Sequence, residues 1–110
     1  FKEMCIGLKE GDTILSLKKL SPTRLVKNEF YQAVQTAEDS GASVEEMREL
    51  LGRGRSKKGI FEGDMKDGEL EIGQISSLID NLPSAEEVVH SVIAEYNIRL
   101  ENFISEKPLF

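Results

Sequence analysis

The stretch Gly52–Gln74, GRGRSKKGIFEGDMKDGELEIGQ, decides how the rest of the chain is organised. It contains six of the nine glycines of the 110-residue sequence, whereas the helical patterns on either side contain almost none. Glycine costs backbone entropy and is kept where φ is positive or where another backbone or a ligand comes close. A glycine-dense segment between two helices is where a domain usually places its binding residues. We therefore interpret this stretch as one long ligand-type loop.

The charges of this stretch fall into two blocks. The basic block consists of Arg53, Arg55, Lys57 and Lys58, and the acidic block consists of Glu62, Asp64, Asp67, Glu69 and Glu71. Arginine forks and glycine N–H groups suit a phosphate, so the basic block is a candidate anion site. The alternative is a solvated helix end, because Gly52 closes the preceding helix and a helix C-terminus favours cations. The acidic block lacks the spacing of a calcium-binding hand, so we interpret it as solvated turn charges.

Two phosphate-binding motifs fail against the stretch. A dinucleotide fingerprint, GxGxxG, requires glycine at position 57, where Lys57 stands. A P-loop, GxxxxGK[ST], finds Gly54 and Gly59, but Ile60 and Phe61 follow where a lysine and a hydroxyl are required. The sequence therefore predicts neither a Rossmann nor a P-loop nucleotide site.

The stretch is similar instead to the C-terminal part of FMN-dependent nitronate monooxygenases (formerly 2-nitropropane dioxygenases) and of the related flavin enoyl-ACP reductases. In those proteins a Gly-Asp pair, a further glycine and a Gly-Gln pair that opens a helix occur at this spacing. Here they are Gly63-Asp64, Gly68 and Gly73-Gln74. The upstream run SPTRLVKNEF also resembles that family, so the resemblance covers about residues 12–95.

The resemblance implies a mainly helical fold, with four to five helices and at most two short strands, as the C-terminal subdomain of a TIM-barrel flavoenzyme. Residues 1–110 would be a single domain that follows an FMN-binding barrel, which agrees with a first residue, Phe1, that is not an initiator. The flavin carries out the redox chemistry, and the protein supplies placement and water exclusion. The substrate, a nitronate or an enoyl thioester reduced with NAD(P)H, stays open. The alternative function is a stand-alone acidic helical interaction module without catalysis.

The resemblance also supplies the candidate site residues. The pocket wall is expected from Gly63, Asp64, Gly68 and Glu71, and the cofactor contacts are expected from Gly73 and Gln74. A helix that opens at Gly73 points free N–H groups toward a flavin edge or phosphate, and a glutamine amide both donates and accepts beside an isoalloxazine. The alternative is that Gly73 is an N-cap only. Asp64 is expected to hydrogen-bond its own backbone and so determine the shape of the turn. Because the barrel supplies most flavin contacts in the family, this chain alone is not expected to bind FMN.

Two other residues are candidates for chemistry. His90, the only histidine, lies four residues after Glu86 and three after Glu87 on the last predicted helix. This spacing favours a surface histidine paired with glutamate over a catalytic base. Cys5 has no second cysteine for metal or redox chemistry and is expected to be a small buried hydrophobe. No residue of this chain is predicted to be catalytic or to bind a metal.

Composition limits the partners. The net charge of −6 argues against binding to nucleic acid or to an anionic membrane surface. A single cysteine excludes an internal disulfide and suits a reducing cytoplasm. The surfaces expected to pack on a barrel are Phe1, Met4, Leu8 and part of the stripe Val89–Phe103. Without that barrel we expect the chain to form a homodimer or a larger assembly.

Local signals place the elements. Residues 1–10 predict a helix that ends at Gly11, and residues 12–20 predict a short strand. A helix is expected from near Asn28 to Gly41, with Phe30, Ala33, Val34 and Ala37 on its buried face.

Two capping boxes mark later helix starts. Ser43 with Glu46 begins the helix before the glycine-rich stretch, and Ser84 with Glu87 begins the last helix. Residues 75–82 predict a short helix between the stretch and the last helix. Lys107-Pro108 is expected to end the last helix.

Overall fold

The computed structural model describes residues 1–106, which belong to two compact units, Phe1–Asp80 and the residues from Asn81 onward. The first unit contains α1 (Lys2–Ile6), β1 (Thr13–Ser16), β2 (Thr23–Val26), α2 (Glu29–Asp39), α3 (Val44–Leu51), α4 (Arg55–Ile60) and a 3-10 helix (Gln74–Leu78). The second unit contains α5 (Ala85–Ser105). The predicted fold class, mainly helical with two short strands, is confirmed.

The first helix is shorter than predicted. α1 ends at the cap residue Gly7 rather than at Gly11. The reason lies in the following turn, where the Lys9 N–H donates to Asp12 Oδ2 at 2.7 Å, because such side-chain bonds compete with helical backbone bonds. Cys5 is buried as predicted, and burial raises the pKa of its thiol.

The sheet of the first unit is a hairpin extended by part of the glycine-rich stretch. β1 and β2 pair antiparallel, with Thr13 opposite Val26. On the other side of β2, residues 70–72 run antiparallel to it: the Val26 N–H donates to the Leu70 carbonyl at 2.9 Å, and the Ile72 N–H donates to the Arg24 carbonyl at 3.3 Å. The end of the stretch therefore continues the sheet as a short strand-like segment.

The core lies between this sheet and the two helices that follow it. Its buried members are Leu17, Leu25, Phe30, Val34 and Met47. Complete burial of such side chains contributes about 1.5–3 kcal/mol each, which makes them the main apolar contribution to stability. The predicted buried face of α2 is correct at Phe30 and Val34.

One residue of that predicted face, Ala33, is exposed instead. Only Phe30 and Val34 of α2 are fully buried, and Ala37 packs against the core while partly exposed. The buried stripe is thus narrower than an i, i+3, i+4, i+7 pattern predicts.

The helix starts follow the predicted caps. Asn28 precedes α2, and its Oδ1 accepts the Tyr31 N–H at 2.9 Å. Both capping boxes form, at the start of α3 and at the start of α5. These bonds satisfy N–H groups that a helix start would otherwise leave free.

The short helix predicted over residues 75–82 is different in form. It is a 3-10 helix that ends at Leu78, and its apolar residues Ile75 and Leu78 are exposed, whereas Ser76 is buried. Eclipsed side chains and poorer hydrogen-bond geometry keep 3-10 segments short, which explains why the predicted amphipathic helix does not continue.

α5 begins where predicted, but none of its residues is buried. Several of its large apolar side chains, among them Val92, Tyr96 and Phe103, are more than half exposed. The predicted end at Lys107-Pro108 lies outside the described residues. Among residues 1–106, none of the helices combines the length and apolarity that a membrane crossing requires.

Candidate functional site

The glycine-rich stretch contains a helix, so its interpretation as one long loop is wrong. Residues 55–60 form α4, between Gly54 at φ 74° and Gly63 at φ 79°. Arginine and lysine have good helix propensity, and glycine readily adopts positive φ at the turns on either side. Gly54 and Gly63 therefore permit the turns on either side of a helix, and the stretch is not a continuous loop.

Gly59 of α4 lies directly against Gly68 of the following segment, and both residues are buried. A Cβ on Gly68 would overlap Gly59 Cα and the Asp64 carbonyl oxygen, and one on Gly59 would lie 2.7 Å from Leu70 Cδ2. Two backbones approach this closely only where neither residue has a side chain. This glycine pair lets α4 pack against residues 64–70.

Asp64 shapes the turn after α4. Its Oδ1 accepts the Lys66 N–H at 3.0 Å and the Asp67 N–H at 2.8 Å, as the sequence predicted. Its Oδ2 lies 3.1 Å from Lys58 Nζ. Hydrogen bonding, first from the Asp67 N–H and then from Lys58, lowers the pKa of Asp64 below its ordinary value. Its carboxylate is therefore engaged within the turn.

Asn28 joins the same turn to the start of α2. Its Nδ2 donates to the Gly68 carbonyl at 2.8 Å and to the Met65 carbonyl at 3.1 Å, while its Oδ1 caps α2. The Phe30 N–H also donates to the Lys66 carbonyl at 3.0 Å. Sequence reasoning identified Asn28 only as a helix start, because its partners lie about forty residues away in the chain.

The contacts of Arg55 support the interpretation of the basic block as cations at a helix end. Its guanidinium donates to the carbonyls of Leu50 and Leu51, at the end of α3, at 2.9 and 2.7 Å. A third bond reaches the Asp67 carbonyl at 2.9 Å, and the guanidinium lies 4.5 Å from the centre of the Phe30 ring.

Two lysines of the block are also paired. Lys58 contacts Asp64, as described above, and Lys57 Nζ lies 3.8 Å from Glu62. Because these cations and Arg55 already have partners, the structure favours the helix-end interpretation over a phosphate site.

A shallow pocket of about 490 Å³ lies where β2 meets the end of the stretch. Its lining residues are Pro22, Thr23, Arg24, Glu71, Ile72 and Gly73. Two of the predicted site residues, Glu71 and Gly73, thus meet at one surface. The others named for a pocket wall, Gly63, Asp64 and Gly68, do not line it; Asp64 and Gly68 support the segment that does.

Gly73 is the N-cap of the 3-10 helix, and Gln74 is its first residue. The predicted helix start at this pair is therefore present, and the Gln74 side chain is exposed beside the pocket-lining residue Gly73. The five-residue length leaves little helix dipole, so any contact of this pair with a ligand depends on its own amides. The flavin contact of Gly73 and Gln74 stays a prediction.

Arg24 is the pocket residue that sequence reasoning missed. Its Nη1 donates to the Thr13 carbonyl at 3.2 Å and to Thr13 Oγ1 at 3.3 Å, which orients the guanidinium across the hairpin. Arg24 and Glu71 give the pocket one cation and one anion, and Ile72 adds an apolar side chain. The run SPTRLV contained the only available signal, a charged residue within a strand pattern.

Behind Glu71 lies a second carboxyl. Glu69 is only 6 % exposed, and its Oε2 lies 2.7 Å from Ser56 Oγ of α4. Glu71 Oε1 lies 3.1 Å from the same hydroxyl. Burial raises the pKa of Glu69, and the nearby Glu71 charge raises it further, while Ser56 and Arg55 act in the opposite direction. The interpretation of these acids as solvated turn charges is wrong for Glu69.

His90 is exposed on α5, as predicted for a surface histidine. Glu87, one of its two expected partners, instead accepts the Ser84 N–H at 2.7 Å in the capping box. Because that bond orients the carboxylate toward the helix start, Glu87 caps α5 and does not pair with His90.

No protein-family model matches the sequence, and no curated protein matches it. The fold is similar to the solved structure of FabK from Thermotoga maritima, with a TM-score of 0.77 and 24% identity over 92% of this chain. A structure of a point mutant of the same FabK matches with a TM-score of 0.69 and 20% identity, also over 92% of this chain. The chain covers 32% and 29% of those two structures, or about a third of their length. The described fold is therefore similar to about a third of the FabK fold.

The glycine contact makes a testable prediction about stability. We expect Gly68→Ala to lower the free energy of unfolding by about 3 kcal/mol, because its methyl group overlaps the Gly59 backbone and α4 must move. Gly73→Ala is the matched control: nothing lies within 4 Å of its Cβ position, and φ is −66°. That control is expected to change the free energy by less than about 0.5 kcal/mol in urea denaturation. Equal effects of the two substitutions would contradict the proposed role of the glycine pair.

Proposed function

We propose that this chain is the C-terminal part of an FMN-dependent oxidoreductase, in which it closes the pocket that contains the flavin and the substrate. The observation that carries the proposal is the similarity of fold to FabK over 92% of the chain. FabK is an enoyl-ACP reductase and a 2-nitropropane dioxygenase-like flavoenzyme. The motifs of residues 63–74 resemble the same group of enzymes, so local sequence and fold support one conclusion. The alternative, an interaction module without catalysis, receives no comparable support.

The pocket between β2 and residues 71–73 is the surface that we assign to the flavin and substrate. Gly73 exposes backbone with open space around it, where a flat ring can approach closely. The exposed Gln74 amide offers a donor and an acceptor, Ile72 offers an apolar contact, and Arg24 offers a positive charge for an anionic group. These residue types fit the edge of an FMN. When bound, the flavin supplies the electron and hydride transfer.

The chain's own residues contribute position rather than chemistry. The Asp64 turn, the Asn28 bonds and the glycine pair place residues 71–73 next to β2. Arg24 is oriented by Thr13 and is thus ready to contact a ligand without first losing much side-chain freedom. We place the enzyme in the cytoplasm, because a lone reduced cysteine suits a reducing compartment.

The proposal is tested on the full-length natural protein. We expect the reading frame to continue for several hundred residues upstream of Phe1, and the purified product to contain FMN with its characteristic visible absorbance. Oxidation of NADH or NADPH with an enoyl thioester, and oxygen consumption with an alkyl nitronate, separate the two reaction classes. A start codon immediately before Phe1, or a colourless protein that does not bind added FMN, would contradict the proposal.

The role of Gln74 makes a second prediction in the intact enzyme. Gln74→Ala is expected to lower kcat/KM about tenfold, since loss of one hydrogen bond to a bound group costs about 1.4 kcal/mol. The thermal midpoint is expected to stay unchanged, because the side chain is exposed. Gln32→Ala, at an exposed position of α2, is the control and is expected to leave both quantities unchanged. An unaltered kcat/KM for Gln74→Ala would mean that the Gly73-Gln74 pair only begins the helix and does not contact the flavin or the substrate.

We further propose that the rest of the enzyme covers the apolar side chains of α5. Val92, Tyr96 and Phe103 are 63%, 64% and 77% exposed, and a patch of that kind is unusual on a soluble monomer. The isolated 110-residue chain is therefore expected to form homodimers or larger assemblies, because association with a second copy also removes these side chains from water.

Light scattering at micromolar concentration tests this expectation. The isolated chain is expected to have a mass above 12.3 kDa, and the double substitution Val92→Lys with Phe103→Lys is expected to shift it toward the monomer. Glu101→Lys adds a lysine to the same helix at a polar position and is the control. A wild-type monomer would contradict the proposed covered surface.

A further inference from the structure

Two carboxyl groups and one hydroxyl meet where α4 lies against residues 69–73, which we call the pocket segment. Ser56 of α4 has its Oγ 2.7 Å from Glu69 Oε2 and 3.1 Å from Glu71 Oε1. Glu69 and Glu71 are two residues apart in an extended segment, so both side chains point to the same face. We call Ser56, Glu69 and Glu71 the carboxyl–serine cluster.

The number of protons in this cluster follows from its hydrogen bonds. A serine hydroxyl has one hydrogen to donate, and an ionised carboxylate only accepts. The Ser56 hydrogen therefore satisfies one carboxylate, and the second contact is a hydrogen bond only if that carboxyl is itself protonated and donates to Oγ. If both carboxyls were ionised, Ser56 Oγ would face two carboxylate oxygens with only one hydrogen to donate. One of these carboxylates belongs to Glu69, which is only 6 % exposed, so its charge would be poorly solvated. The geometry thus favours one proton shared by the two carboxyls, because each contact then has its own hydrogen.

None of the ion pairs among the described residues includes Glu69 or Glu71, and the Arg55 charge only partly offsets the rise in the pKa of Glu69. On α4, the groups that face Glu69 are Ser56 and Arg55, and the Arg55 guanidinium already donates to three carbonyls. On β2, Arg24 is bonded to Thr13. Lys58, also on α4, is paired with the carboxylates of Asp64 and Asp67 in the turn before Glu69. Neutralisation of the pair by a proton is therefore the arrangement that these contacts favour.

We propose that the carboxyl–serine cluster is a pH-sensitive connection between α4 and the pocket segment, closed when it carries one proton and opened when that proton is lost. In the closed form, two hydrogen bonds join α4 to residues 69–71. In the open form, the two negative charges repel each other, and the exposed Glu71 moves away from Ser56 toward solvent. Because Glu71 lines the pocket, loss of the proton changes the pocket wall and its charge.

The direction of the pH effect follows from proton linkage. Glu69 has a raised pKa in the folded chain, so the folded state retains a proton that the unfolded state releases. This contribution to stability is fully present below the ordinary glutamate pKa of about 4.3 and is lost as the pH rises through the raised pKa of Glu69. Acids with lowered pKa values, such as Asp64, act in the opposite direction, because their contribution to stability is lost as the pH falls. The test therefore compares variants that share these acids.

The test measures urea unfolding midpoints of the 110-residue chain between about pH 4 and about pH 8. In Glu69→Gln, a permanent amide donor replaces the protonated carboxyl, so we expect the midpoint of the wild-type chain to fall relative to that of the variant as the pH rises. Glu62→Gln removes the same charge from an exposed position and is expected to retain the wild-type pH dependence. Parallel pH profiles for wild type and Glu69→Gln would overturn the proposal.

Carbon-13 NMR of the glutamate carboxyls in the wild-type chain keeps the proposal testable if the variant does not fold. We expect one carboxyl of the pair to titrate above the ordinary glutamate range, and Ser56→Ala to change that titration because it removes the common hydrogen-bond partner. Titration of all glutamates in the ordinary range would overturn the proposal.

Discussion

The contact between Gly59 and Gly68 is the constraint on which the rest of the first unit depends. α4 packs against residues 64–70 only because neither backbone carries a Cβ at the point of approach. That packing places the Glu69 N–H 3.1 Å from the Arg55 carbonyl and the Arg55 guanidinium 2.9 Å from the Asp67 carbonyl. Each of these bonds contributes about 1 kcal/mol and needs the two backbones at this distance. One steric requirement therefore supports several hydrogen bonds.

The same constraint positions the pocket. Asp64 closes the turn, and Asn28 donates from its side-chain amide to the Gly68 carbonyl and so holds the turn against α2. The chain then emerges beside β2 and pairs with it through residues 70–72. Glu71 and Gly73 then lie next to Arg24, about fifty residues away in sequence, at the open edge of a small sheet. Loops positioned by a rigid scaffold are where binding surfaces usually occur. Most of the glycine-rich stretch is that scaffold, and only its last residues form the surface.

Features determined by local interactions could be predicted from the sequence. Both capping boxes, the Asn28 cap and the backbone bonds of Asp64 involve residues at most three apart, and all are present. The buried positions Phe30 and Val34 follow from helical periodicity. The predicted, mainly helical fold agrees with a fold similarity to FabK over 92% of the chain.

Features that depend on distant parts of the chain could not be predicted. A high glycine content indicated a loop, yet Gly59 and Gly68 serve a helix contact that has no local signature. The pairing of residues 70–72 with β2, and hence the entry of Arg24 into the pocket, connects segments almost fifty residues apart. The buried Glu69 was indistinguishable in sequence from its solvated neighbours, because burial depends on where α4 lies.

Amide hydrogen exchange of the wild-type chain tests most directly whether residues 54–72 form a fixed, packed scaffold. The informative N–H groups are those of Val26, Phe30, Gly68 and Glu69, each of which bonds to or from the stretch. If the scaffold exists, these four N–H groups exchange as slowly as those of the core helices α2 and α3. Their protection then corresponds to the free energy of global unfolding. If these four exchange at the rate of an open loop while α2 and α3 remain protected, the stretch is a mobile loop and the account is wrong.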